Sequence, residues 1–290
     1  MGKARIAIVG GDDREFILAG ELARQGYDIH LCGFAARAPE ETKNFSCPRE
    51  AVRGVQAVIL PMAGVKGDFS VHCPGNARPP VINADFFAAL PVNTPVFIGW
   101  ATKELKELAA KVRLIEIAQD DELAVLNSIP TAEGAIALAI NETPITIHGN
   151  KAMVVGFGRC GITLGRMLGA MGAQVTVAAR KASQRARAGE MGFSTCGISD
   201  LCQHVETMAF IFNTIPAPVL TEEVLAHAGK CYLLVDIASG GGTDFAAARS
   251  LGIKALLAPG LPGKVAPETS GNILAKVMPR LLSENGIGGD

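Results

Sequence analysis

The chain has 290 residues, of which 49% are hydrophobic and 19% are charged, a composition that excludes disorder as the main state and suits one or two compact domains. The 27 Lys and Arg residues are balanced by 28 Asp and Glu residues, so no basic surplus is present to bind nucleic acid or an anionic membrane. Because Gly (33) and Pro (16) are frequent and aromatic residues make up only 5%, the composition indicates an α/β enzyme with many tight turns.

The seven Cys residues predict reduced thiols. They form no CxxC pair, and no His lies beside them at the spacing of metal ligands. The apolar run near the N-terminus, 6–9, is too short for a signal-peptide core or a membrane span. We therefore expect a cytoplasmic protein without a structural metal.

Strand-like and helix-like segments alternate along the first part of the chain. We predict strands at 5–9, 28–32, 56–60, 96–98 and 113–117, with helices at 14–25 and 103–111. This alternation is typical of a parallel sheet built from βαβ units. The stretch 64–80 is longer than most connections and suggests a mobile or interface loop.

A second block of the same kind opens at Lys151. Its predicted strands lie near 152–155, 174–178, 208–212, 232–236 and 254–258. The fold class is therefore α/β with two doubly wound parallel-sheet domains, an N-terminal substrate domain at 1–127 and a Rossmann dinucleotide-binding domain at 128–290.

Two further helices concern the boundary between these domains. The segment 132–140 is rich in Ala and Leu and predicts a connecting helix, whose start Ser128 or Thr131 could cap. A helix at about 267–283 could pack back on the first domain.

The sequence GFGRCG at 156–161 follows a buried strand and precedes an amphipathic helix. Gly156 permits a tight turn, Gly158 lets the backbone approach a pyrophosphate, and Gly161 permits close helix packing. The residues between them are Phe157, Arg159 and Cys160. Strand, turn, helix and returning strand together predict a dinucleotide site rather than an unliganded glycine turn.

The end of the returning strand bears on which nucleotide binds. NAD-binding domains carry a carboxylate there for the ribose 2′-hydroxyl, whereas this chain has Ala179, Arg180 and Lys181, with Ser183 beside them. Cations without a carboxylate favour the 2′-phosphate of NADP, although NAD is possible. The alternative is a solvated basic turn.

Two later loops follow strands of the second block, at the edge where such folds bind ligands. The residues that we expect to contact the cofactor there are Asn213, Thr214, Ile215, Pro216, Asp236, Ala238 and Ser239.

The first block has Gly10-Gly11-Asp12-Asp13-Arg14 at the corresponding turn. Two carboxylates make a second dinucleotide site there improbable. Arg14 could bind a substrate carboxylate. In the alternative interpretation, Asp12 or Asp13 caps the helix and Arg14 lies in solvent.

Several longer segments resemble the family of the dipicolinate synthase A subunit. They are GGDDR at 10–14, NSIPTAEGAIALAI at 127–140, IHG at 147–149, GFGRCG at 156–161, NTIP at 213–216, DIASGGGTDF at 236–245 and ALLAPGLPGKVAPETSG at 255–271. The last two are long and unusual, so the resemblance is more specific than the glycine turn alone. The wider architecture resembles the D-2-hydroxyacid dehydrogenase and S-adenosylhomocysteine hydrolase group, without a clear counterpart of the Arg–Glu–His catalytic set of those dehydrogenases.

The resemblance implies NADP-linked oxidation of dihydrodipicolinate, a lysine-pathway intermediate, to pyridine-2,6-dicarboxylate in the mother-cell cytoplasm of a sporulating bacterium. It also implies a second, flavoprotein-type B subunit, and we expect a homodimer. A dianionic substrate favours cations and helix N-termini. The candidates are Arg14, Lys264, Ser128 and Thr131 for the carboxylates, and Glu133 or His148 for the proton.

Two other functions stay open at this stage. One is an NADP-dependent dehydrogenase of another small carboxylate, and the other is a Rossmann protein that senses NADP without turnover. The complete first domain, with its own Arg-bearing turn, favours an enzyme over a sensor.

Overall fold

The computed structural model describes residues 3–34, 38–74, 76 and 78–288; positions 75 and 77 of the predicted loop at 64–80 lie outside them. The chain divides into two compact units, 1–126 with 266–290 and 127–265. Each unit contains one six-stranded sheet, and every pairing between neighbouring strands is parallel. The predicted fold class is confirmed.

The first sheet has the order β3-β2-β1-β4-β5-β6. Its strands are β1 (Arg5–Val9), β2 (Asp28–Cys32), β3 (Thr42–Phe45), β4 (Ala57–Ile59), β5 (Pro95–Ile98) and β6 (Arg113–Glu116). The helices between them are α1 (Asp13–Arg24), α2 (Pro48–Ala51), α3 (Ala84–Ala88) and α4 (Lys103–Leu108). Along β1, Ile6 and Ile8 enter one core while Ala7 and Val9 enter another, because successive side chains point to opposite faces.

The second unit repeats this topology. Its strands are β7 (Lys151–Val155), β8 (Gln174–Ala178), β9 (Ser194–Cys196), β10 (Phe210–Asn213), β11 (Leu233–Asp236) and β12 (Ala255–Leu257). Its helices are α5 (Asp121–Glu142), which begins in the first unit, α6 (Arg159–Ala170), α7 (Ala182–Glu190), α8 (Leu201–His204), α9 (Glu222–Ala226), α10 (Phe245–Ser250) and α11 (Leu261–Val265). The order β12-β11-β10-β7-β8-β9 reverses its winding between β7 and β10, which is the topological switch point of a doubly wound sheet.

Helix α5 begins 11 residues before the predicted start at 132. The Asp120 carboxylate accepts the Leu123 N–H at 2.9 Å and marks the helix start. Pro130 lies inside the helix, although proline removes one backbone hydrogen bond and disfavours helix interiors. Buried neighbours such as Ala132 and Ala135 show that packing outweighs that local penalty.

The last helix, α12 (Pro267–Glu284), belongs to the first unit. It packs closely on α1 at Gly271, where a methyl group would lie 2.7 Å from the Ile17 Cβ. Its apolar side chains, including Leu274 and Met278, enter the same core as Leu18. The chain therefore returns to its first sheet after completing the second.

Candidate functional site

A tight glycine turn joins β7 to α6 at the carboxyl edge of the second sheet. Gly156 has a φ of +98°, and its N–H donates to the Ala178 carbonyl at 2.8 Å. The Thr214 N–H and hydroxyl both donate to the Val155 carbonyl, at 2.9 and 3.0 Å. The turn is thus held between β8 and the loop that follows β10, beside the switch point.

The three glycines of this turn have different surroundings. A methyl group on Gly156 would collide with the Thr214 hydroxyl, and one on Gly161 would collide with the Gly156 carbonyl oxygen. A methyl group on Gly158 would meet no atom within 4 Å. The first and third glycines therefore keep the turn compact, while the second leaves open space above the backbone.

Helix α6 begins at this open position. Gly158 is its N-cap and forms no side-chain cap hydrogen bond. The first N–H groups of a helix lack intrahelical partners, and the helix dipole adds partial positive charge there. This helix start has the geometry of an anion site that fits a pyrophosphate.

A basic turn follows β8 on the same edge of the sheet. Ala179 is buried, whereas Arg180, Lys181 and Ser183 are exposed. The Arg185 guanidinium donates to the Ala179 and Arg180 carbonyls, at 2.9 and 2.8 Å. It therefore holds the backbone of the turn and leaves the Arg180 side chain in solvent.

The loops after β10 and β11 are shaped by their own buried polar side chains. The Asn213 side chain accepts the Ile215 N–H and donates to the Ile215 carbonyl, both at 3.0 Å. The Asp236 carboxylate is fully buried and accepts hydrogen bonds from the Gly242 N–H (2.7 Å) and the Thr243 hydroxyl (2.6 Å). These two side chains organise the loops, whose exposed positions include Pro216 and Ser239.

Other predicted residues of this turn and its loops differ in accessibility. Phe157, Gly161 and Ala238 are buried, Cys160, Thr214 and Ile215 are half-buried, and Arg159 is exposed. Desolvation raises the pKa of the Cys160 thiol above its usual value, so the thiol stays protonated near neutral pH.

Ser128 and Thr131 do not cap a helix, which corrects the sequence prediction. Both lie inside α5, because that helix begins at Asp121. The Thr131 hydroxyl donates to the Asn127 carbonyl at 2.7 Å, and the fully buried Ser128 forms a 2.6 Å hydrogen bond with the Thr163 hydroxyl. No helix N-terminus is formed at 128–131.

The two predicted proton acceptors lie in different places. His148 is exposed and precedes the amino end of β7, next to Gly172. It therefore occupies the edge of the sheet opposite the glycine turn, because β7 separates the two. Glu133 is exposed on α5, and Lys264 is exposed on α11.

The corresponding turn of the first unit is already filled by protein groups. The Gly11 N–H donates to the His72 carbonyl at 2.7 Å. The Asp12 carboxylate accepts the Arg14 N–H, and the Glu15 carboxylate accepts the Asp12 N–H. The N-terminus of α1 is thus closed by a capping box, unlike that of α6.

Arg14 is buried within this cap. Its Nε and Nη2 donate to the two Asp12 carboxylate oxygens at 2.9 and 2.8 Å, and only 7% of the residue is exposed. The capping role of Asp12 is confirmed, whereas the placement of Arg14 in solvent is wrong. The ion pair forms because a guanidinium matches a carboxylate with two parallel hydrogen bonds.

Glu15 is a titratable residue that the sequence interpretation missed. The residue is 1% exposed, and its carboxylate also accepts the Met62 N–H at 2.8 Å. Burial raises its pKa to about 7, with Arg14 opposing and Asp12 adding to the shift. The D-x-x-E spacing from Asp12 was the available signal, since it is typical of a capping box.

The described residues of the stretch 64–80 are attached to the first unit. The Val71 N–H donates to the Pro80 carbonyl and the Lys66 N–H to the Ser70 carbonyl, at 2.9 and 3.0 Å. Val65 and Val71 are buried. Buried valines and backbone pairing therefore attach these residues to the first unit, and a mobile or interface role for the loop stays a prediction.

The structure was searched for clusters of metal ligands and for helices that could cross a membrane. Within residues 3–34, 38–74, 76 and 78–288, no group of three or more His, Cys, Asp or Glu side chains could hold a metal ion. Over the same part of the chain, α5 alone is long and apolar enough to cross a membrane by length and composition, with 44% of its most apolar stretch buried inside the structure.

The fold is shared with a dehydrogenase of low sequence identity. D-lactate dehydrogenase from Escherichia coli superposes with a TM-score of 0.63 at 16% identity, covering 98% of each chain. This chain therefore has the same fold as that dehydrogenase.

Closer similarity is found to one family. A model of the N-terminal domain of the dipicolinate synthase A subunit matches residues 5–118. The A subunit of dipicolinate synthase from Bacillus subtilis (strain 168) is 39% identical, over 97% of this chain and 96% of that protein. The crystal structure of the same subunit from Bacillus halodurans superposes with a TM-score of 0.92 at 36% identity, covering 97% and 98% of the two chains. This chain belongs to the family of the dipicolinate synthase A subunit.

Proposed function

We propose that this chain is the NADP-binding subunit of a dipicolinate synthase and oxidises dihydrodipicolinate to pyridine-2,6-dicarboxylate. Membership of the family supports the reaction class. The observation that carries the nucleotide part is the uncapped start of α6 at Gly158, followed on the same edge by the exposed Arg180 and Lys181.

The residues of this edge fit a nicotinamide nucleotide. The N–H groups at the start of α6 bind the pyrophosphate, and Gly158 lets the backbone approach it. Arg180, Lys181 and Ser183 bind the 2′-phosphate as cations and a hydroxyl donor. When bound, NADP⁺ supplies a hydride acceptor.

The substrate needs charge compensation and one proton acceptor. Aromatisation removes two hydrogens from the dihydropyridine ring, one as a hydride to the cofactor and one as a proton to a base. Lys264 and Arg14 are the proposed carboxylate ligands; the contacts of Arg14 with Asp12 use Nε and Nη2, so its Nη1 remains for a carboxylate. Glu133 is the proposed proton acceptor, because His148 precedes the opposite end of β7.

The cofactor choice is tested by Arg180→Ala. Loss of one charge-assisted contact costs about 1.5–3 kcal/mol, so the variant should bind NADP at least about tenfold more weakly and NAD almost unchanged. Arg187→Ala is the matched control, since Arg187 is an exposed cation of α7 that pairs with Glu190 at 2.9 Å. Fluorescence titration with NADPH and NADH measures both affinities, and an equal loss for the two nucleotides would exclude the 2′-phosphate role.

The reaction is tested by absorbance at the nicotinamide band. NADP and freshly prepared dihydrodipicolinate are mixed with the chain, with and without the flavoprotein-type B subunit. We expect NADPH to form in at least one of the two mixtures. NADP binding without NADPH formation in either mixture would contradict the proposed oxidation.

Assembly and location complete the proposal. The names of the relatives identify them as the A subunit of a synthase, which supports a partner subunit for this chain. We propose a homodimer that associates with the B subunit in the mother-cell cytoplasm during sporulation. Light scattering at micromolar concentration and co-elution with the B subunit test this, and a monomer that elutes alone would contradict it.

A further inference from the structure

The second unit has a cavity at the edge of its sheet opposite the glycine turn. Its volume is about 880 Å³, which lies within the range of small-molecule sites. The first residues of β7, β8 and β9 line it, together with the ends of α6 and α7. The function proposed above uses none of these residues.

The charged groups of this cavity share one sign. Lys151 and Arg166 line it, and no Asp or Glu is among its described lining residues. The Lys151 ammonium donates to the Thr207 hydroxyl at 3.3 Å. Within the part of the chain that the structure describes, neither of these two cations forms an ion pair with a carboxylate. Cations without carboxylate partners create a positive potential that attracts anions.

Helix C-termini at this edge would ordinarily oppose an anion, because their free carbonyls carry partial negative charge. Of the helices that end here, α6 and α7 are each followed by a backbone hydrogen bond. After α6, the Gly172 N–H donates to the Gly169 carbonyl at 2.9 Å. After α7, the Gly192 N–H donates to the Gly189 carbonyl at 3.0 Å. Each of these bonds pairs one helix-end carbonyl, and Lys151 and Arg166 are the cations that line the cavity.

The same cavity has an apolar part. Phe193 lines it and is half-buried, with its ring 6.2 Å from that of Phe157 in an edge-to-face contact. Met191 and Met208 also line the cavity, and methionine side chains adapt to flat apolar groups. A ligand that fits has a flat apolar body and a negatively charged group.

We propose that this cavity binds a small aromatic anion, with Lys151 and Arg166 contacting its carboxylate or phosphate and Phe193 contacting its ring. The site is separate from the nucleotide turn. Lys151 begins β7 and Val155 ends it, and four residue steps of a strand span about 13 Å. Both sites can therefore be occupied at once.

Calorimetric titration of the full chain with phenyl phosphate and with benzoate tests the inference, and the stronger of the two probes identifies the preferred anionic group. The titration is run with and without saturating NADPH, because phenyl phosphate could also bind at the pyrophosphate turn. We expect saturable binding of at least one probe with the same Kd in both conditions. Benzyl alcohol, a neutral probe of similar shape, should bind at least tenfold more weakly.

The variant Lys151→Ala with Arg166→Ala should weaken binding at least tenfold. The matched control is Lys254→Ala with Arg187→Ala, which removes the same charges from the same unit at side chains paired with Glu142 and Glu190. A second double variant, Lys151→Gln with Arg166→Gln, removes the charges but keeps the side chains polar. The thermal unfolding midpoint of each variant shows whether it is folded.

The proposal is overturned if neither probe binds saturably when the chain is saturated with NADPH. Equal losses in the variant and the matched control would also overturn it. Tight binding of benzyl alcohol would also overturn it, since the cations would then contribute nothing.

Discussion

Alanine substitutions at two glycines of the nucleotide turn should separate stability from cofactor binding. At Gly158 the backbone is extended, with φ of −94° and ψ of −159°, and a methyl group meets no atom within 4 Å. Alanine is a poorer N-cap than glycine, but it reduces the freedom of the unfolded chain by about 0.4–1 kcal/mol. The two effects nearly cancel, so the free energy of unfolding should change by no more than about 0.5 kcal/mol.

The same methyl group would stand where the pyrophosphate approaches the backbone. Loss of one charge-assisted hydrogen bond to phosphate costs about 1.5–3 kcal/mol. Gly158→Ala should therefore weaken NADP and NAD equally, by at least about tenfold. This pattern differs from that of Arg180→Ala, which should affect NADP alone.

Gly161→Ala should lower the free energy of unfolding rather than the cofactor affinity. Its methyl group collides with the Gly156 carbonyl oxygen, and overpacking costs about 1–3 kcal/mol, of which the higher helix propensity of alanine returns about 1 kcal/mol. Gly189→Ala is the control, because α7 leaves open space there and alanine should stabilise the helix by about 0.5–1 kcal/mol. Urea unfolding and nucleotide titration measure both properties.

Gly158→Ala would contradict this prediction if it kept its cofactor affinity or lost more than about 1 kcal/mol of stability. Either result would mean that the space above Gly158 does not receive the pyrophosphate, or that the helix start tolerates a side chain less well than its geometry indicates.

Two further predictions concern the cap of α1. Arg14→Ala leaves the Asp12 carboxylate without its ion pair, so it should lower the free energy of unfolding by about 3–5 kcal/mol and kcat/KM for the substrate by at least about tenfold, with unchanged NADP affinity; full activity would remove Arg14 from the substrate site. Arg14→Lys should restore only part of the lost stability and kcat/KM, since lysine cannot form two parallel hydrogen bonds. Because burial raises the folded-state pKa of Glu15 from 4.5 to about 7, its contribution to stability is present below pH 4.5 and is lost as the pH rises through 7, a fall of up to about 3 kcal/mol. Urea unfolding at several pH values should show this fall in the wild type but not in Glu15→Gln, and parallel pH profiles would contradict it.

The central strands and the glycine turn between β7 and α6 could be predicted from the sequence alone. Strands such as β1 and β7 are continuous apolar runs, because both faces of their sheets are covered. The edge strands β3 and β9 escaped prediction, since TKNF and STC are polar and carry no hydrophobic signal. They form only because a neighbouring strand supplies backbone hydrogen bonds, at 29–32 and 176–178.

Features that depend on contacts between distant residues could not be predicted from the sequence. Helix α5 continues through Pro130 because its packing outweighs a local preference that the sequence shows correctly. Glu15 titrates near neutral pH because the surrounding fold excludes water from a carboxylate, which its neighbours in the sequence do not reveal. Likewise, His148 and Gly156 are only eight positions apart in the chain. The extended strand β7 lies between them and places them at opposite edges of the sheet, because a strand rises about 3.3 Å per residue.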